Sequence, residues 1–119
     1  MRHLKVFDEM GQVRTIALSR RASRLSELSK QGFETARDLA QATEMGATLG
    51  LIATETDRHL EDSVAAMEQG LNLLIEKPLT ISGHEAEKLR SKASELKRSV
   101  YVACVLRFSQ SLNVFKEML

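Results

Sequence analysis

The densest cluster of potentially reactive groups follows the apolar run Leu71–Ile75, which delivers Glu76, Lys77 and Pro78 in immediate succession. An apolar strand ending this way places those residues at the carboxyl edge of an α/β sheet, where ligands bind. A lysine there can donate a proton or stabilise negative charge on a reacting oxygen, and the proline fixes the direction in which the chain leaves. Spacing alone favours a plainer reading, a solvated Glu and Lys with Pro stopping the ladder.

A second strand end running into a helix start lies at Ala53-Thr54-Glu55-Thr56-Asp57-Arg58-His59. Backbone amides at such a junction suit a phosphate or a polarised ring, and Thr54, Thr56 and His59 can reach into the same crevice. Taken by itself, a histidine in the first turn of a surface helix is expected to be exposed. A third cluster, Ser19, Arg20 and Arg21, follows the first β-rich run. In a dinucleotide site this turn meets the adenosine ribose: an acid there selects the free 2′-hydroxyl, and arginine accommodates a 2′-phosphate. No acid is present here, although a polar strand-to-helix turn accounts for the same residues. His3, His59 and His84 share no metal-ligand spacing with Cys104, and Cys104 inside Val-Tyr-Val-Ala-Cys-Val-Leu reads as a small buried hydrophobe. No G-x-S-x-G elbow or Walker sequence occurs.

The elements that must position these groups alternate between β-rich and helical-period runs, the pattern of βαβ units. Strands are expected at Val13–Leu18, Leu49–Ala53, Leu71–Ile75 and Val100–Leu106, the second nearly all apolar as for a strand covered on both faces. Leu60, Val64 and Met67 give the stretch Asp57–Gln69 one buried stripe, with Asp57 as N-cap and Gly70 as left-handed terminator. Ser82 and Glu85 form a capping-box pattern opening a helix lined by Ala86, Leu89, Ala93 and Leu96. Further helices are expected at Ala22–Lys30, Ala36–Met45 and Ser109–Leu119, with a short strand near Gly32–Glu34.

The chain has 119 residues, 43% apolar and 28% charged, with a formal net charge of +1, in the range of one small globular domain. Seventeen basic against sixteen acidic residues disfavour nucleic-acid and anionic-membrane binding. One cysteine excludes an internal disulfide, and the first residues show no apolar signal region, so reducing cytoplasm is the expected compartment. No apolar run approaches the roughly 18 residues of a membrane span. With one proline and no repeats, the residues read as a single compact unit.

Three pieces in fixed order carry a resemblance: a strand ending in Ala-Thr-x-Thr-x-x-His at Ala53–His59, then Ala66-x-x-x-Gly70 leading into Glu76-Lys77-Pro78, then a strand ending in Arg107-Phe108. Together they resemble the glucose-fructose oxidoreductase, inositol dehydrogenase and MocA (Gfo/Idh/MocA) family over nearly the whole chain. The resemblance implies a nicotinamide-dependent oxidoreductase with an N-terminal Rossmann domain and a C-terminal substrate and oligomerisation domain. It places Ala53, Thr54 and Thr56 beside the cofactor, His59 near its nicotinamide end and Glu76 on the nicotinamide ribose. Lys77 is implied to face nicotinamide and substrate as the catalytic, proton-handling residue, and Arg107 to lie near the cleft. Ser19, Arg20 and Arg21 match the ribose-reading position and favour NADP over NAD. A cis Lys77–Pro78 bond is also implied.

The sequence departs from that pattern in three ways. It opens on a segment that looks like the helix after the first G-x-G-x-x-G turn, so the first strand and pyrophosphate cradle are missing. Glu55 stands where proline is common, and the chain stops where the substrate domain should start. Residues 1–119 thus read as a partial, Rossmann-like NAD(P)-binding domain: a mostly parallel sheet with flanking helices. In the order 3-2-1-4-5-6 loss of strand 1 leaves the strands at Val13 and Leu49 unpaired with each other, a state expected to be marginal as a monomer or to associate into a homo-oligomer. The intact form is expected to transfer hydride to or from a sugar, sugar nucleotide or polyol, the 119 residues alone being inactive. The alternative is a non-catalytic nucleotide-binding or subunit-contact module.

Overall fold

Short apolar runs in this chain pair as parallel strands in two separate sheets. The computed structural model describes residues 2–118, apart from the side chains of Arg107, Leu112 and Phe115. Its packing divides into two units, Met1–Thr48 and Leu49–Leu119, where the sequence suggests one.

The first unit contains α1 (Arg2–Met10), β1 (Ile16–Leu18), α2 (Ala22–Lys30), β2 (Glu34–Ala36) and α3 (Leu39–Glu44). β1 and β2 run parallel in the register Ile16↔Glu34 to Leu18↔Ala36. The strand expected from Val13 begins three residues later because its ladder partner starts at Glu34. Arg14 is instead held by side-chain bonds to Glu34 and to the Met45 carbonyl. Ala36, expected in a helix, is a buried strand residue; Asp38 then starts α3, its carboxylate accepting from the Gln41 amide at 2.8 Å. α2 and α3 both pack on this sheet, burying Ala17, Leu28, Ala36 and Ala42.

The second unit contains β3 (Leu49–Ile52), a 3-10 turn (Thr56–Arg58), α4 (His59–Glu68), β4 (Asn72–Ile75), α5 (Gly83–Glu95), β5 (Val100–Val102), a second 3-10 turn (Val105–Phe108) and α6 (Gln110–Glu117). The sheet order is β3-β4-β5, all parallel. α4 covers β3 and β4, and α5 lies against α4. Leu73 and Ile75 on the central strand are fully buried, joined by Met67, Leu71 and Leu89. Expected covered on both faces, β3 buries Ile52 but leaves Leu49 exposed, and in its sheet it is an edge strand paired with β4. β1 and β3 belong to different sheets, as the argument from strand order anticipates.

Two of the three caps expected here form. Gly70 ends α4 at φ +88°, where a side chain would be strained, and the Leu71 amide reaches back to the Ala66 carbonyl. Ser82 Oγ accepts from the Glu85 amide at 3.2 Å to start α5. Asp57 is not a cap: the helical path begins one turn early as the 3-10 segment, which places Asp57 inside its first turn. β5 stops at Val102 because the Cys104 amide turns back to the Val102 carbonyl at 2.7 Å. Cys104 is therefore exposed, contrary to its expected burial.

Candidate active site at a sheet edge

β3 and β4 are parallel neighbours in the register Ile52↔Ile75, so the chain leaves both strands at the same edge. The Glu76 amide extends the ladder by donating to the Ile52 carbonyl at 2.9 Å. Ala53, Thr54 and Thr56 leave from one strand and Glu76 and Lys77 from the other; these five sequence-predicted residues thus start from one edge. Thr54 and Lys77 are exposed, Thr56 and Glu76 half-buried. The Lys77 amide donates to Glu76 Oε2 at 3.2 Å, and the Lys77–Pro78 bond is cis.

His59 differs from its expectation. It is 1% exposed rather than solvated. Its Nε2 lies 3.0 Å from the Thr54 carbonyl and its Nδ1 3.1 Å from the Leu79 carbonyl, so one ring touches both loops of the edge. The Leu79 acceptor, twenty residues along the chain, is what draws the ring inward. Sequence reasoning also missed Asp62, whose carboxylate accepts from Thr54 Oγ1 at 2.9 Å and lies 3.5 Å from Arg58 Nη2. The i, i+4 spacing of Arg58 and Asp62 signals their ion pair, but no local pattern signals the threonine.

Ser19, Arg20 and Arg21 lie in the first unit, at the carboxyl end of β1. Ser19 Oγ accepts from the Arg21 amide at 3.2 Å, a turn that shapes the approach to α2, and both arginines are exposed. Arg107 has its backbone in the second 3-10 turn, and its side chain lies outside the described residues. A groove of about 430 Å³ between α4 and α5, floored by Leu60 and Val64, includes neither Lys77 nor Thr54. Among the described residues no three His, Cys, Asp or Glu side chains group as a metal site needs. No helix among them is long and apolar enough to cross a membrane.

Parallel strands, flanking helices and a motif-bearing carboxyl edge match the oxidoreductase family with an NAD-binding Rossmann fold, whose model covers residues 2–104. The chain belongs to the Gfo/Idh/MocA family. Solved structures of similar fold include a probable dehydrogenase from Thermotoga maritima, with TM-score 0.76 and 18% identity over 88% of this chain and 33% of that one. A UDP-N-acetylglucosamine 3-dehydrogenase from Acidithiobacillus ferrooxidans gives TM-score 0.73 and 22% identity over 85% of this chain and 33% of its own. A 3-ketoreductase from Actinomadura kijaniata, solved with NADP, gives 0.73 and 23% over 87% and 33%. At these identities the likeness concerns the fold, and this Gfo/Idh/MocA chain spans about a third of the length of each. No curated protein matches the chain.

Proposed function

We propose that this chain is the nicotinamide-edge part of a dehydrogenase or reductase acting on a hydroxyl or carbonyl carbon of a sugar, sugar nucleotide or polyol. The observation that carries the reading is the meeting of Thr54, Thr56, Glu76 and Lys77 at one carboxyl edge. The residues fit a nicotinamide ribose there: the Glu76 carboxylate can accept from sugar hydroxyls, and Lys77 extends from an exposed position beyond it. Bound nicotinamide dinucleotide supplies the hydride acceptor or donor. Lys77 holds and moves the proton of the substrate hydroxyl through its Nζ. The exposed arginines beside Ser19, with no acid in that turn, favour NADP over NAD. The 119 residues hold no G-x-G-x-x-G turn, so we assign no phosphate contacts. Relatives in fold named for sugar-nucleotide oxidation and ketone reduction support the substrate class. We expect the chain by itself to bind nucleotide without turning over substrate.

The test is titration of the purified chain with NADPH and NADH while amide resonances are followed. Expected are shifts at Thr54, Thr56, Glu76 and Lys77, with NADPH the tighter ligand. Saturating nucleotide with no shift at the β3–β4 edge would overturn the reading in favour of a non-catalytic module.

A further inference from the structure

The carbonyl oxygens of Thr54 and Leu79 belong to successive loops of the same sheet edge, and one imidazole faces both. We propose that His59 is a positioning residue whose ring clasps these loops together, one nitrogen against each carbonyl, setting Thr54 and Thr56 against Glu76 and Lys77. The catalytic meaning of the clasp rests on the reading above; its existence does not.

The chemistry of the partners leaves little freedom. A carbonyl oxygen can only accept, and both distances lie in the N–H···O range. Either ring nitrogen can carry the donated proton, and in each case the ring meets one loop through each nitrogen. With the ring 1% exposed, water has no room to replace either contact.

Each loop is also fixed at other points, so the clasp completes a set. Thr54 is gripped from α4 twice, at its carbonyl by His59 and at its hydroxyl by Asp62. The loop from β4 to α5 is tied at its start by the Glu76 amide on the Ile52 carbonyl. Its end is tied by Thr80 Oγ1 donating to the Ser82 carbonyl and by the Ser82 cap. Between those points stand Lys77 and Pro78, and Pro78 offers no amide to hold the backbone. The bond from Nδ1 to Leu79, two residues beyond Lys77, holds this middle section.

Two amide side chains divide the clasp. The asparagine nitrogen stands close to the place of Nδ1, and the glutamine nitrogen close to that of Nε2. With no nucleotide present, His59→Asn is expected to keep the Lys77 amide near its native exchange rate. It should speed exchange of the Arg58 amide, which bonds to the Glu55 carbonyl, about tenfold, the loss of roughly one hydrogen bond. His59→Gln should do the reverse, and His59→Leu should release both. A ring that merely fills space predicts equal losses from Asn and Gln, and that result overturns the clasp. The wild-type chain gives a measurement that needs no variant to fold. A slowly exchanging imidazole N–H proton of His59 is expected at low field, and a ring proton that exchanges as fast as that of the exposed His84 overturns the proposal. Nucleotide titration of the wild-type chain separates the two ideas. A chain that shows the clasp and binds no nucleotide removes the cofactor reading alone, and one that binds nucleotide without the exchange pattern removes the clasp alone.

Discussion

The two units bury different kinds of side chain. Among the described residues the first buries Ala17, Ala36 and Ala42 with Leu28 as its one large apolar group. The second buries Ile52, Met67, Leu71, Leu73, Ile75 and Leu89. Since a fully buried large aliphatic side chain contributes about 1.5–3 kcal/mol and an alanine much less, the second unit holds most of the apolar stabilisation. It is also the unit that carries the converging motif residues. The proposed site needs fixed backbone, and a three-stranded sheet with a buried central strand supplies it. Amide exchange should therefore be slowest at Leu73 and Ile75 and fastest in β1 and β2.

Cavity-forming substitutions should have the largest effect. Leu73→Ala and Leu28→Ala are each expected to cost about 2–5 kcal/mol. Leu73 shares its unit's core with five other large apolar side chains, so exchange protection there should fall yet persist. Leu28 has none in its own, so Leu28→Ala should abolish protection in residues 16–44. Equal responses of the two units would break the comparison.

Overpacking comes next. A Cβ built on Gly50 of β3 would lie 3.0 Å from Leu73 Cδ2, and Leu73 is 0% exposed. The neighbour has no solvent side to move toward, so Gly50→Ala should cost about 1–3 kcal/mol in thermal or denaturant unfolding. A neutral result would show that this core is looser than its burial indicates.

The same contrast explains what the sequence disclosed. Helix ends were legible at Ser82 and Gly70 because a cap is written in residues a few positions apart. The α/β class and the strand end at Ile75 were legible, and the end at Ile52 to within one residue, because apolar runs stop sharply at polar motifs. His59 was misjudged because its burial depends on the Leu79 carbonyl, set by pairing of β3 with β4 and not by its own helix. Cys104 was misjudged because an apolar string does not announce where its ladder partner ends: β4 pairs β5 only through Val102. Asp57 failed as a cap because the first turn closes as a 3-10 segment, a choice made by backbone bonds such as Arg58 to Glu55. The separation of β1 from β3 was legible only through the strand order that the family resemblance supplies, since strand order, unlike strand content, is not local.

Helix caps give a matched pair of smaller effects. Asp38 caps α3 in the first unit and Ser82 caps α5 in the second, each accepting from an amide three residues on. Asp38→Ala and Ser82→Ala should each cost about 1 kcal/mol. On the smaller core of the first unit that amount is the larger fraction of what is present. Asp38→Ala is therefore expected to raise exchange throughout α3, and Ser82→Ala only in the first turn of α5. Fraying of equal extent would show that local core size does not set the response.

The smallest effect concerns the exposed pair that joins the start of β2 to Arg14. Arg14 Nε donates to Glu34 Oε1 at 2.7 Å and Nη2 bonds the other carboxylate oxygen, so the contact is bidentate. The hydrogen bond from Arg14 holds the Glu34 carboxyl below the usual carboxylate range, outweighing a desolvation effect in the opposite direction, and the guanidinium charge adds a lesser lowering. A carboxyl whose folded value is depressed contributes stability above its unfolded value and loses it as pH falls through the folded one. The contribution is therefore complete at neutral pH and fades below the ordinary carboxylate range. Both groups are open to solvent, so salt screens the pair and little stability rides on it. Glu34→Gln should lower the unfolding midpoint of the first unit slightly at neutral pH and low salt, and the difference from wild type should vanish in acid or in high salt. A difference that survived both conditions would mean that Glu34 acts through packing of β2 against β1, and would place more of the first unit's stability in its strand pair than its alanine core suggests.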